Sequence, residues 1–171
     1  TSFILYAHGE MLALDGGYIN FTNHDKVNWG NAHNLIMVDG QGPPIDRIAG
    51  AAVDGGEDAF IEDTMTHAGG DYAQVRAAYL GARIRRRTLF ANRDYFVIAD
   101  EVASDSVRTY QWRLHGHGGG TSGGSYSRVG SLARWTRPQA ELLAYLTPAP
   151  GRTFAEDDTI HSFDFLQEPT H

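Results

Sequence analysis

Between Leu12 and Gly42 the sequence reads "LALDGGYINFTNHDKVNWGNAHNLIMVDGQG", which places Asp15, Tyr18, His24, Asp25, His33 and Asn34 in one span. Carboxylate oxygens and imidazole nitrogens are donors that zinc accepts, usually four in a tetrahedron. Asp15 ends one apolar run and His33 opens the next. Neighbouring antiparallel strands bring such ends together. Asp15 and His33 therefore predict either a metal pair or an Asp capping a turn beside a His hydrogen-bonded at a strand start. A third ligand would come from His24, Asp25 or residues preceding Thr1. Tyr18 follows Gly16-Gly17. Glycines let a backbone approach a ligand closely, so Tyr18 is either an acid–base group or an aromatic plug that pins the loop.

Two further clusters have weaker claims. In "HGHGGGTSGG", His115 and His117 would share a strand face. No acidic or third histidine neighbour is visible, and the stretch reads as a flexible hairpin loop. Neither a Lys-Ser/Thr pair nor a helix follows to make it a phosphate loop. In "RIRRR", Arg83, Arg85 and Arg87 share one strand face. They suit carboxylate or sulfate groups, or a solvated face with cross-strand acidic partners. The chain has no cysteine, which excludes disulfides, Cys-based zinc sites and thiol catalysis. It also lacks H-E-x-x-H.

The elements that must position these residues read as strands. "SFILYA" and "EMLALD" flank His8-Gly9, a hairpin-like join, and "HNLIMVDG" closes at Asp39-Gly40. "DAFIEDTMTHA", "DYAQVRAAYLG", "ARIRRRTLFA", "YFVIADEVA" and "VRTYQWRLHG" then follow at about ten-residue spacing, with turns such as "ANRD" and "ASDS" between them. "YFVIA", apolar on both faces, predicts a central covered strand. "YQWRLH" alternates as a half-buried strand would. "LARWTR", "AELLAYLT" and "TIHSFDFL" complete the set. This pattern predicts an all-β fold, an antiparallel β-sandwich of stacked sheets, as a single domain over residues 1–171.

Composition sets the outer bounds. The 171 residues are 42% hydrophobic and 20% charged, enough for a real core. The formal net charge of −7 argues against wholesale nucleic-acid binding. No apolar run approaches the roughly 18 residues of a membrane helix. The chain opens directly on a strand-like run, which predicts a segment of a longer protein.

"TSFILYAHGEMLALDGGY", "NAHNLIMVDGQG", "RRRTLFANRDYFVIADEV" and "YQWRLH" together resemble the C-terminal β-domain of heparinase II/III-like polysaccharide lyases, the family of the heparinases and exo-type alginate lyases. The resemblance covers about residues 1–117 and weakens afterwards. It implies a two-domain protein, an N-terminal α/α toroid plus a β-sandwich, that cleaves uronate-containing acidic polysaccharides by β-elimination in the cleft between them. Most catalytic groups would lie in the toroid, leaving the present chain alone inactive. The resemblance implies that Asp15 and His33 are ligands of a structural zinc, with a further His ligand before Thr1. It places Tyr18 near a tyrosine that reaches into the cleft. It also implies a secreted or periplasmic location. The competing expectation is a non-catalytic carbohydrate-binding or architectural module that uses aromatics such as Trp29 and Trp135. Oligomeric state is open.

Overall fold

The structure, a computed structural model, describes residues 2–15, 29–44, 59–118 and 123–157 in full, and the backbone alone of 47–48, 51–52, 162–163 and 169–170. The strands are β1 (Leu5–Ala7), β2 (Glu10–Ala13), β3 (Ile36–Val38), β4 (Arg47–Ile48), β5 (Ala51–Ala52), β6 (Ala59–His67), β7 (Gly70–Tyr79), β8 (Ala82–Ala91) and β9 (Tyr95–Ser104). They continue with β10 (Tyr110–Trp112), β11 (Ser125–Val129), β12 (Leu132–Thr136), β13 (Glu141–Tyr145), β14 (Ser162–Phe163) and β15 (Pro169–Thr170). No α-helix occurs among the described residues, and a single 3₁₀ turn, Gly30–Ala32, precedes β3. The all-β, antiparallel expectation holds, including the strand reading of "YAQVRAAYL" and "AELLAYL".

The chain packs as two compact units, Ile36–Gln111 and Ser2–Leu35 with Trp112–His171. The core of the first unit is the sheet β6-β7-β8-β9, antiparallel throughout. Two of its three turns place two consecutive residues in the left-handed region. Leu80-Gly81 joins β7 to β8, and Asn92-Arg93 begin the three-residue join of β8 to β9, which Asp94 closes on the Ala91 carbonyl. Such pairs match the right-handed twist of the strands they connect. Arg93 is exposed at φ 57°, a conformation that costs a side-chain-bearing residue about 1–2 kcal/mol. Arg93→Gly should therefore stabilise this hairpin by about 0.5–1 kcal/mol, part of the gain being offset by the freer unfolded glycine. A rise in the urea midpoint at unchanged m-value checks this.

The sheet has two different faces. Register places Arg83, Arg85 and Arg87 on one face with Gln74, Arg76 and Glu101. There the arginines meet acids: Arg83 bonds Asp105 at 3.2 Å, Arg85 pairs with Glu62 at 3.3 Å, and Arg87 pairs with Glu101 at 3.1 Å. The stripe is the solvated, cross-paired face, not an anion trap. The opposite face carries buried Ala77, Tyr79, Ala82, Ile84 and, between half-buried Arg85 and Arg87 in sequence, buried Arg86. Asp100 is the register partner of Arg86 on β9, and the two form a forked pair, Nε to Oδ1 at 2.8 Å and Nη2 to Oδ2 at 2.9 Å. The Tyr79 hydroxyl donates to the Ile36 carbonyl of β3. Burial pushes the Tyr79 phenol up to about 12, with Asp100 adding to the rise and Arg86 opposing it.

Two strand expectations fail. β9, read as central because "YFVIA" is apolar on both faces, has β8 as its one strand neighbour among the described residues and is largely exposed. "YQWRLH" does not alternate. Strand β10 pairs with β3 and ends at Trp112; Trp112, Arg113 and Leu114 are all half-buried and His115 is buried.

In the second unit, β1 and β2 form a hairpin through His8-Gly9, at φ 53° and 80°, as the sequence predicted. β11-β12-β13 is an antiparallel meander. Glu10, at the start of β2, is nearly buried. It accepts hydrogen bonds from Arg137 Nε and the Gln139 N–H in the β12–β13 turn, both at 3.3 Å. That anchors β2, the strand that leads to Asp15.

Candidate functional site

The site is built within the second unit from four chain segments, the first being the stretch before β1 that carries Ser2 and Phe3. β2 runs out through Leu14 to Asp15. The 3₁₀ turn closes with Ala32 N–H on the Trp29 carbonyl at 2.9 Å and His33 N–H on the Gly30 carbonyl at 3.2 Å, and it delivers His33 in extended backbone. The segment after β10 lies along β2. Leu14 N–H donates to the His115 carbonyl at 2.8 Å, His117 N–H donates to the Leu12 carbonyl at 3.0 Å, and Ala13 bridges Gly116.

Asp15 and His33, eighteen residues apart, meet as expected. His33 Nδ1–H donates to Asp15 Oδ1 at 2.7 Å, with each side chain about a quarter exposed. The second carboxylate oxygen, Oδ2, accepts the Ser2 hydroxyl. The Ser2 oxygen in turn accepts the Asn34 N–H at 3.0 Å. Asn34 is fully buried, and its amide uses every hydrogen-bonding position it has. Nδ2 donates to the Phe3 carbonyl at 2.7 Å and to the Leu14 carbonyl at 2.6 Å. Oδ1 accepts the His115 N–H at 2.6 Å and His115 Nδ1–H at 3.2 Å.

The pair fits zinc in donor type and convergence. At 2.7 Å it stands at hydrogen-bond length, whereas two ligands about 2.0–2.2 Å from one tetrahedral ion are separated by roughly 3.3 Å. A shift of about half an ångström would let both bind one ion. No group of three His, Asp or Glu that could hold a metal occurs among the described residues, where the pair offers two donors. Tyr18, His24 and Asp25 lie outside the described residues.

Two readings of the sequence are corrected. His115 and His117 are not part of a flexible loop. Both are buried, at 6% and 7% exposure, and both are fixed, His117 Nδ1–H donating to the Met11 carbonyl at 3.0 Å. Trp135 is 6% exposed and packs over Gly116, so it offers no face to a sugar, whereas Trp29 is exposed. Sequence reasoning gave no role to Ser2, Asn34 or His115. The one available signal for Asn34 was its position directly after His33 inside an otherwise apolar run.

The fold and the site thus define a β-sheet domain that presents a carboxylate–imidazole pair where two strand ends meet. The family model for the heparinase II/III-like C-terminal domain matches residues 1–170, and the chain belongs to that family. No curated protein matches it. Membership places the domain in a polysaccharide-lyase context, with a polysaccharide substrate and a companion N-terminal domain.

Proposed function

We propose that the full-length protein is a polysaccharide lyase that cleaves uronate-containing acidic polysaccharides by β-elimination, and that this domain forms one wall of the cleft and carries a structural zinc site. The observation that supports this best is the joining of Asp15 and His33 at 2.7 Å within a domain whose family match covers residues 1–170. In the proposed reaction a base removes the C5 proton beside the substrate carboxylate, and an acid protonates the departing O4. Donors around the carboxylate stabilise the developing enediolate charge. The companion toroid supplies most of these groups, and Tyr18 is the candidate acid–base residue of this domain. Asp15 and His33 would hold two positions of the zinc, which ties the strand ends together. The protein acts in the periplasm or outside the cell.

The test uses full-length protein with heparin, heparan sulfate and alginate, following the ultraviolet absorbance of the unsaturated uronate product, alongside elemental analysis. Product release with stoichiometric zinc is expected, and zinc should be lost in both Asp15→Ala and His33→Ala. Full zinc content in both variants would remove the ligand assignment, and absence of unsaturated product on every uronate polymer would remove the lyase. The exposed Trp29 favours one second reading, a carbohydrate-binding module, for which binding without product would be the signature.

A further inference from the structure

We propose that Asn34 is a positioning residue for the Asp15–His33 pair, acting together with the Ser2 hydroxyl. The pair and the Ser2 hydroxyl that holds it come from three separate segments, and Asn34 is joined to each. It follows His33 directly in the chain. Its side-chain amide holds the Leu14 carbonyl, one residue before Asp15, and the Phe3 carbonyl, one residue after Ser2. Its backbone N–H orients the Ser2 oxygen, so the Ser2 proton is turned onto Asp15 Oδ2. That contact sets the rotation of the carboxylate and leaves Oδ1 facing the His33 ring.

The chemistry requires an asparagine here. The position must donate two hydrogen bonds to carbonyls on one side and accept two from His115 on the other. Aspartate would turn acceptors toward the carbonyls, and a hydroxyl side chain cannot supply two donors. The fixed bonds keep the carboxylate and the imidazole facing each other before any ion arrives. Outer partners of this kind typically change metal affinity by about 10–100-fold when removed. The consequence for metal affinity rests on the zinc reading; the positioning itself does not.

Ser2 is exposed, so Ser2→Ala tests the relay without threatening the fold. In full-length protein, Ser2→Ala should weaken zinc binding about tenfold by chelator competition, while Ser2→Thr, which keeps the hydroxyl, should stay within about twofold of the parent. The melting temperature of the metal-free Ser2→Ala protein should match the parent, which separates positioning from general stability. A second readout needs no metal. The His33 Nδ1 proton should be visible and slowly exchanging by NMR in the metal-free parent and in Ser2→Thr, and it should exchange at least tenfold faster in Ser2→Ala. Asn34→Ala should lose that proton signal too, if it folds. A parent that takes no zinc yet shows this proton pattern supports the positioning and retires only the zinc reading. The proposal is overturned by a Ser2→Ala protein with parental affinity and a protected proton, by a Ser2→Thr protein that behaves like Ser2→Ala, or by a parent lacking the protected proton.

Discussion

Asp100→Ala should destabilise the Ile36–Gln111 unit by about 3–5 kcal/mol, the largest single-residue effect expected in the sheet. The cost follows from where the pair sits. The Arg86 side chain is 4% exposed and that of Asp100 10%, so water cannot solvate the guanidinium once the carboxylate that neutralises it is gone. Both arms of the fork are made at normal length, 2.8 and 2.9 Å, and both are lost together. Asp100→Asn should cost less, because one acceptor remains. The double replacement Arg86→Met with Asp100→Leu should come close to the parent, since removing both charges removes the desolvation cost along with the attraction. Tyr79 gives an independent check. Asp100 helps hold its phenol at about 12 while Arg86 pulls it down, so Asp100→Ala should lower the pKa of Tyr79 in an ultraviolet titration. Denaturant midpoints for the three variants, with hydrogen exchange along β8 and β9 to localise the loss, decide the matter.

Gly116→Ala should be nearly as damaging, for a steric reason. A Cβ on Gly116 would fall inside the van der Waals envelope of the Trp135 indole, against Cε2, Cδ2 and Nε1. Trp135 is buried on β12 and cannot simply swing aside. The expected loss is about 3 kcal/mol, the upper end of the range for overpacking. The site should suffer as well, because Gly116 lies between His115 and His117. The bonds of those residues to Leu14, Leu12 and Asn34 fix the end of β2. Gly116→Ala should therefore show more rapid exchange of the Leu14 amide. In a Trp135→Leu background the same alanine should cost at least about 1 kcal/mol less, a coupling expected only between side chains in contact. Equal cost in both backgrounds would remove the contact with Trp135 as the cause.

How much of this was legible in the sequence depends on how local each cause is. Hairpins were readable where two residues decide them. His8-Gly9 and Asp39-Gly40 both adopt the left-handed pair that their types favour. The meeting of Asp15 with His33 was readable because each sits at the end of an apolar run. The place of β9 in its sheet was not. Apolarity on both faces describes a strand's own side chains, whereas its place in the sheet is set by which segment pairs beside it. Arg86 was hidden for a related reason. Alternation separates residue 86 from residues 83, 85 and 87, but nothing in "RIRRR" says which face is covered or that Asp100 lies opposite. The frame around the pair was least legible of all. Asn34 bonds partners 20, 31 and 81 residues away, distances over which no local pattern carries information.

Strand β6 has one more consequence. It is nine residues long, exposed along its whole length, and an outer strand of its sheet, with no strand on its far side among the described residues. A flat edge of that length, carrying Phe60, Ile61 and Met65 in the open, would be a template for adding strands from other chains. The ladder instead slips between Ile61 and Asp63, where two acidic residues, Glu62 and Asp63, stand side by side. An irregular edge with paired like charges cannot be extended in register by an identical strand. Glu62, besides holding Arg76 and Arg85, thus stands at the irregularity that interrupts this edge.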